Sequence, residues 1–81
     1  MILVDIEVPA TDSVYDFELD EEIPVKALIE EIVKILMQKE KYIGRAEEKL
    51  YLYAYFGECL LCDEKSLKQQ GVKTGEKLFL L

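Results

Sequence analysis

Cys59 and Cys62 stand at the Cys-x-x-Cys spacing shared by redox dithiols and zinc sites. A structural zinc site needs four cysteine or histidine ligands, and a plant-type iron-sulfur cluster needs four cysteines. The chain has two cysteines and no histidine, so neither set can be completed. If Cys59 to Leu61 is a strand, side chains three positions apart also point to opposite faces, which opposes a disulfide or a shared ion. The two thiols therefore read as small apolar side chains. Ser66 lies at a helix-start position, the carboxylates fall in solvated runs, and no histidine is present to act as a general base. A core this small also leaves little room for a substrate pocket. We expect no catalytic residue, no metal and no cofactor.

Recognition is the chemistry these residues favour. If Leu50 and Leu52 face inward, alternation turns Tyr51, Tyr53 and Tyr55 outward, and the same rule applied to the first and last strands exposes Leu3, Phe79 and Leu81. With those strands adjacent, the six residues form one aromatic and aliphatic patch of a kind that monomers seldom leave without a partner. Tyrosine suits such a surface because it joins a large apolar ring to a polar tip. The opposite arrangement, with the tyrosines inward or with the connection Tyr42 to Lys49 lying over the patch, leaves no such site.

The elements that must position these residues are legible as periods. Ile2, Val4, Ile6 and Val8 alternate with Leu3, Asp5 and Glu7, the pattern of a strand with one buried face, and Pro9 ends it. Thr11, Asp12 and Ser13 supply turn chemistry before alternation resumes through Tyr15, Phe17 and Leu19, giving a hairpin. From Pro24 to about Lys41 the period lengthens. Leu28, Ile32, Ile35 and Leu36 recur at helical spacing, Pro24 suits the first turn, and Glu21 and Glu22 complement the helix N-terminus. Val25, Ile29, Val33 and Met37 widen the apolar arc beyond the usual stripe, so part of it should be exposed.

Tyr42 to Lys49 leads back to the sheet. Leu50 to Tyr55 and Cys59 to Leu61 read as a third and a short fourth strand around a Phe56-Gly57-Glu58 turn, and Leu78 to Leu81 as a fifth. A one-turn helix is expected around Leu67. Leu60, Leu67, Val72, Leu78 and Leu80 each offer one side chain to a common core, with Gly71 and Gly75 at turn positions that favour positive φ. This order predicts one α+β domain over residues 1–81, a mixed five-stranded sheet packed on one helix. The first and last strands should lie parallel at its centre, joined by a right-handed crossover.

Hydrophobic residues make up 51% of the chain, enough to build a core against the entropy of folding. Ten basic and seventeen acidic residues give a net charge of −7, which repels nucleic acid and anionic lipid alike. Five carboxylates between Asp16 and Glu22 mark an acidic rim, either a solubilising surface or a docking site for a basic partner. No segment nears the roughly 20 apolar residues of a membrane span, and the first residues lack a basic n-region and a cleavage site. A cytoplasmic protein without membrane insertion is expected.

Three features carry a family resemblance. One is the acidic approach to the helix, Asp20-Glu21-Glu22-Ile23-Pro24-Val25-Lys26-Ala27-Leu28, with a Pro-Val pair ahead of paired aliphatics. Another is Ser66-Leu67, then Gly71-Val72, then Thr74-Gly75-Glu76-Lys77-Leu78. The third is a close on the last strand with no Gly-Gly tail. With the hairpin and helix, they resemble the β-grasp, ubiquitin-like superfamily over essentially the whole chain. Within it they resemble the YukD-like family, also called EsaB, of small bacterial proteins associated with type VII secretion. The tyrosine-rich third strand and the connection Tyr42 to Lys49 are not part of that resemblance.

The resemblance implies an accessory or regulatory protein of the secretion apparatus that acts by protein contacts, with a membrane component or ATPase of that system as partner. Conjugation and sulfur-carrier chemistry both activate a C-terminal carboxylate on a flexible tail of small residues. Leu80-Leu81 is bulky and expected to stay paired in the sheet, so no covalent transfer is expected. Two readings compete: a sulfur carrier or protein modifier, and a homo-oligomeric structural module pairing through the sheet face or the broad helix arc.

Overall fold

The computed structural model describes residues 1–39 and 49–81. Strands β1 (Ile2–Val8) and β2 (Ser13–Leu19) form the hairpin and helix α1 (Val25–Lys39) follows. Strands β3 (Leu52–Ala54), β4 (Cys59–Leu60) and β5 (Lys77–Leu80) complete one sheet in the order β2-β1-β5-β3-β4. β1 and β5 run parallel at its centre, and the other pairings are antiparallel. This is the ubiquitin-like β-grasp, a mixed five-stranded sheet on one helix. The helix end near Lys41 and the connection from Tyr42 lie outside the described residues, which resume at Lys49.

Alternation decides the inner face. Val4, Ile6 and Val8 of β1 and Phe17 and Leu19 of β2 are buried, with Val4 opposite Phe17. A 3-10 turn at Pro9–Thr11 joins the strands, closed by the Asp12 N–H donating to the Pro9 carbonyl at 3.2 Å. Asp12 is left-handed there, a conformation that aspartate tolerates. α1 lays Val25, Leu28, Ile29, Ile32 and Leu36 on this face. Val33 and Ile35 are half-buried and Met37 is exposed, so the flank of the broad arc reaches solvent.

The start of α1 is capped by backbone, and the acidic residues before it make ion pairs of their own. Carbonyls of a neighbouring loop receive the first helix donors: the Val25 N–H bonds to Lys65 O and the Lys26 N–H to Asp63 O, each at 3.0 Å. With those donors satisfied, no carboxylate is needed to cap them. Glu21 instead faces the Met1 ammonium at 3.4 Å, and Glu22 faces Lys68 at 3.7 Å.

The closing segment begins with a capping box, in which the Gln69 N–H donates to Ser66 Oγ at 3.1 Å and the Ser66 N–H to Gln69 Oε1 at 2.9 Å. Turns follow it in place of a regular helix, and the Val72 N–H returns to the Leu67 carbonyl at 3.0 Å past Gly71, whose φ is 78°. Leu67, Val72, Leu78 and Leu80 are buried. Leu60 is not. It is 56% exposed, and Leu61 takes the core position in its place. The pairing of Tyr53 with Leu60 sets this, because directly opposed residues share a face and Leu52 and Ala54 already occupy the inner one. Cys59 and Cys62 are likewise exposed, and both are free thiols.

Candidate functional site

The strand register sorts the outward side chains into rows. One row runs Val14, Glu7, Phe79, Tyr53 and Leu60 across the whole sheet. Tyr55 adjoins it, its N–H donating to the Lys77 carbonyl at 3.1 Å, while Tyr51 and Leu81 exchange two backbone bonds of 2.9 Å. These bonds extend the pairing of β3 with β5 and bring Tyr51, Tyr53, Tyr55, Phe79 and Leu81 together on two adjacent strands. Leu3 stands apart. β5 begins opposite Asp5, so Leu3 lies beyond its start, where its N–H donates to Thr74 Oγ1 at 3.0 Å and its carbonyl accepts the Gly75 N–H at 2.7 Å. The single patch expected from sequence is therefore an aromatic cluster and one remote leucine.

The rings of the cluster touch. Phe79 lies 6.1 Å from Tyr53 and 6.0 Å from Tyr55, centroid to centroid, and Tyr55 meets Phe56 edge-on at 5.8 Å. Such pairs contribute about 0.5–1.5 kcal/mol beyond the area they bury. Phe56, 71% exposed, and Leu60 join the face without having been expected there. Phe56 reads as turn punctuation in the sequence. The clue to it was an aromatic residue in a tight turn beside a strand of outward tyrosines. Tyr53, Tyr55, Phe56, Glu58 and Phe79 line an open groove of about 410 Å³.

Charge divides the rest of the face. Lys77 Nζ sits at the boundary, 3.0 Å from Glu7 Oε1 and 5.3 Å from the Phe79 centroid. Lys49 Nζ lies 2.6 Å from Asp63 Oδ2 and 5.6 Å from the Tyr51 ring. Its hydrogen bond to Asp63, and then the Asp63 charge, raise the Lys49 pKa against a smaller opposing effect of desolvation. On β1 and β2 four of the outward residues, Asp5, Glu7, Asp16 and Glu18, are acidic beside Leu3 and Val14, with Asp5 directly opposite Asp16. The hydrogen bond between those two carboxyls, and then their mutual repulsion, hold Asp16 above the usual carboxylate pKa. The face thus has an acidic half and an aromatic half. Among the described residues, no cluster of three or more histidine, cysteine or acidic side chains is placed to hold a metal ion.

The sequence model of the family described as "WXG100 protein secretion system (Wss), protein YukD" matches residues 3–80. The chain belongs to the YukD family. No curated protein is similar enough to this YukD-family chain to count as a match. Solved structures share its fold. The EccD5 ubiquitin-like domain from Mycobacterium xenopi superposes with a TM-score of 0.78 at 21% identity, covering 99% of this chain and 91% of that one. The ubiquitin-like domain of the Mycobacterium tuberculosis type VII secretion protein EccD1 gives 0.73 at 19%, covering 100% and 99%. A chain of the MycP5-free ESX-5 inner membrane complex gives 0.80 at 17%, covering 99% of this chain and 20% of that one. At these identities the likeness establishes the ubiquitin-like architecture of the YukD-family chain, a fold that hosts many functions.

Proposed function

We propose that this YukD-family protein is a cytoplasmic, non-catalytic docking module of the WXG100, or type VII, secretion apparatus. It engages a membrane component or the secretion ATPase through the aromatic half of its outer sheet face. The observation that carries this reading is the cluster of Tyr53, Tyr55, Phe56, Leu60 and Phe79, whose members are adjacent and of which Tyr55, Phe56 and Leu60 are more than half exposed. Tyrosine is enriched among the few residues that dominate binding energy at protein interfaces. Family membership supports the choice of apparatus. The chain of like fold in the ESX-5 inner membrane complex supports a membrane component as partner.

A non-covalent mode is supported by the backbone of Leu81. Both its N–H and its carbonyl bond to Tyr51 at 2.9 Å, so the backbone at Leu81 is held in the ladder and chemistry on it requires breaking those bonds. Capture of secretion-system membrane proteins by the immobilised chain should fall at least about tenfold on Tyr53→Asp, the loss typical of an interface hot spot. Unchanged capture by a folded variant overturns the docking reading. Incubation with activating enzymes and ATP should leave the mass of the protein unchanged, whereas an adenylate or thiocarboxylate on the protein establishes the carrier reading instead.

A further inference from the structure

We infer that the groove beside β3 and β5 is a cation site that receives an arginine side chain from a docked protein segment. This rests on the docking reading above and names the chemistry of its occupant. Four of the five lining residues, Tyr53, Tyr55, Phe56 and Phe79, are aromatic, and the fifth, Glu58, is a carboxylate. Aromatic faces carry the negative end of the ring quadrupole, and a carboxylate among them adds a full charge. An apolar plug seated there desolvates Glu58 without pairing it, whereas a cation satisfies both the rings and the acid.

The same sheet face already holds cations over its rings. Lys77 Nζ lies 5.3 Å from the Phe79 centroid and Lys49 Nζ 5.6 Å from that of Tyr51. Each of these lysines is also bound to a carboxylate, Glu7 and Asp63 respectively. Glu58 takes part in none of the ion pairs made among the described residues. Its backbone is left-handed, at φ 49°, so the turn holds a carboxylate where glycine or asparagine is easier to accommodate.

Charge complementarity selects the partner. The chain carries −7, and Asp5, Asp16 and Glu18 lie on the neighbouring half of the face, so a positive segment is steered towards it and a second copy of the chain is repelled. Arginine fits better than lysine because its planar guanidinium stacks on a ring while its fork meets a carboxylate. A groove of about 410 Å³ sits near the small end of ligand clefts, a size suited to one or two side chains.

The test uses acetylated, amidated peptides of sequence Gly-Leu-Xaa-Leu-Gly, where Xaa is arginine, lysine, citrulline or norleucine. They are titrated into the isotope-labelled full chain and followed by NMR. The arginine peptide should shift the signals of Tyr53, Tyr55, Phe56, Glu58 and Phe79. It should also bind about tenfold more tightly than the citrulline peptide, which has the same shape without the charge. Tyr55→Leu keeps apolar bulk and Glu58→Gln keeps size, and both positions are exposed, so each variant should retain the dispersed spectrum of the parent. Each should weaken arginine binding about fivefold or more and leave citrulline binding unchanged.

Equal binding of arginine and citrulline, arginine binding indifferent to both variants, shifts confined to β1 and β2, or no shifts up to about 10 mM peptide, overturns the proposal. The two failures are distinguishable. Loss of capture on Tyr53→Asp with no arginine preference keeps the docking face and removes the cation site, whereas unchanged capture overturns the docking reading and this inference with it.

Discussion

Leu67 and Gly71 stand four residues apart and contribute by different physics. Leu67 is wholly buried in the core cluster, so Leu67→Ala leaves a cavity and should cost about 2–5 kcal/mol in urea denaturation. Nothing lies within 4 Å of a Cβ added at Gly71, yet its φ is 78°, so Gly71→Ala meets only the backbone penalty and should cost about 1–2 kcal/mol. Asp16 has the opposite sign. Because Asp5 raises its pKa in the folded state, the native protein binds that proton more tightly than the unfolded chain does. The site therefore gains stability as the pH falls through the raised value and loses it as the pH rises. Asp16→Asn keeps a hydrogen-bond donor for Asp5 without the charge, so it should raise the urea midpoint at neutral pH, and the difference should vanish below about pH 4. At this scale most buried positions were legible from alternation alone. Leu60 was not, because the adjacent Leu60-Leu61 pair is equally apolar and only the pairing with Tyr53 decides which one turns inward.

Among the elements, the loop that caps α1 is bridged by the Gln70 side chain. Gln70 Oε1 accepts the Cys62 N–H at 2.6 Å, and its Nε2 donates to the carbonyls of Cys62, Lys65 and Ser66 at 3.0, 3.2 and 3.3 Å. The Lys65 carbonyl in turn accepts the Val25 N–H. Gln70→Ala should therefore cost about 1–3 kcal/mol and speed hydrogen exchange at Cys62, Val25 and Lys26 together. Hairpin and helix were legible because each spans enough residues to show its period. β4, with two residues, shows none. The cap of α1 was not legible for a related reason, since the carbonyls that form it come from a loop some 40 residues further along the chain.

Across the whole molecule, the division of the sheet face into aromatic and acidic halves sets how binding responds to conditions. Contacts steered by −7 weaken as salt shortens the Debye length, while burial of Tyr55 and Phe56 does not. Capture of a secretion partner should fall about three- to tenfold between 50 and 500 mM salt, mainly in its association rate, and should not be abolished. The sequence proposed six residues for such a surface, and the structure places five of them, Tyr51, Tyr53, Tyr55, Phe79 and Leu81, on two adjacent strands. Leu3 could not be excluded by pattern, because its distance from Phe79 depends on β5 starting opposite Asp5, a register that no local period encodes.

The parallel central pair has a mechanical consequence. Because β1 and β5 lie side by side and point the same way, tension applied between Met1 and Leu81 slides one strand along the other. Every hydrogen bond between them then bears load at once instead of being peeled in turn. A module tethered at both ends to a working machine would, by this geometry, resist extension far better than its modest size implies.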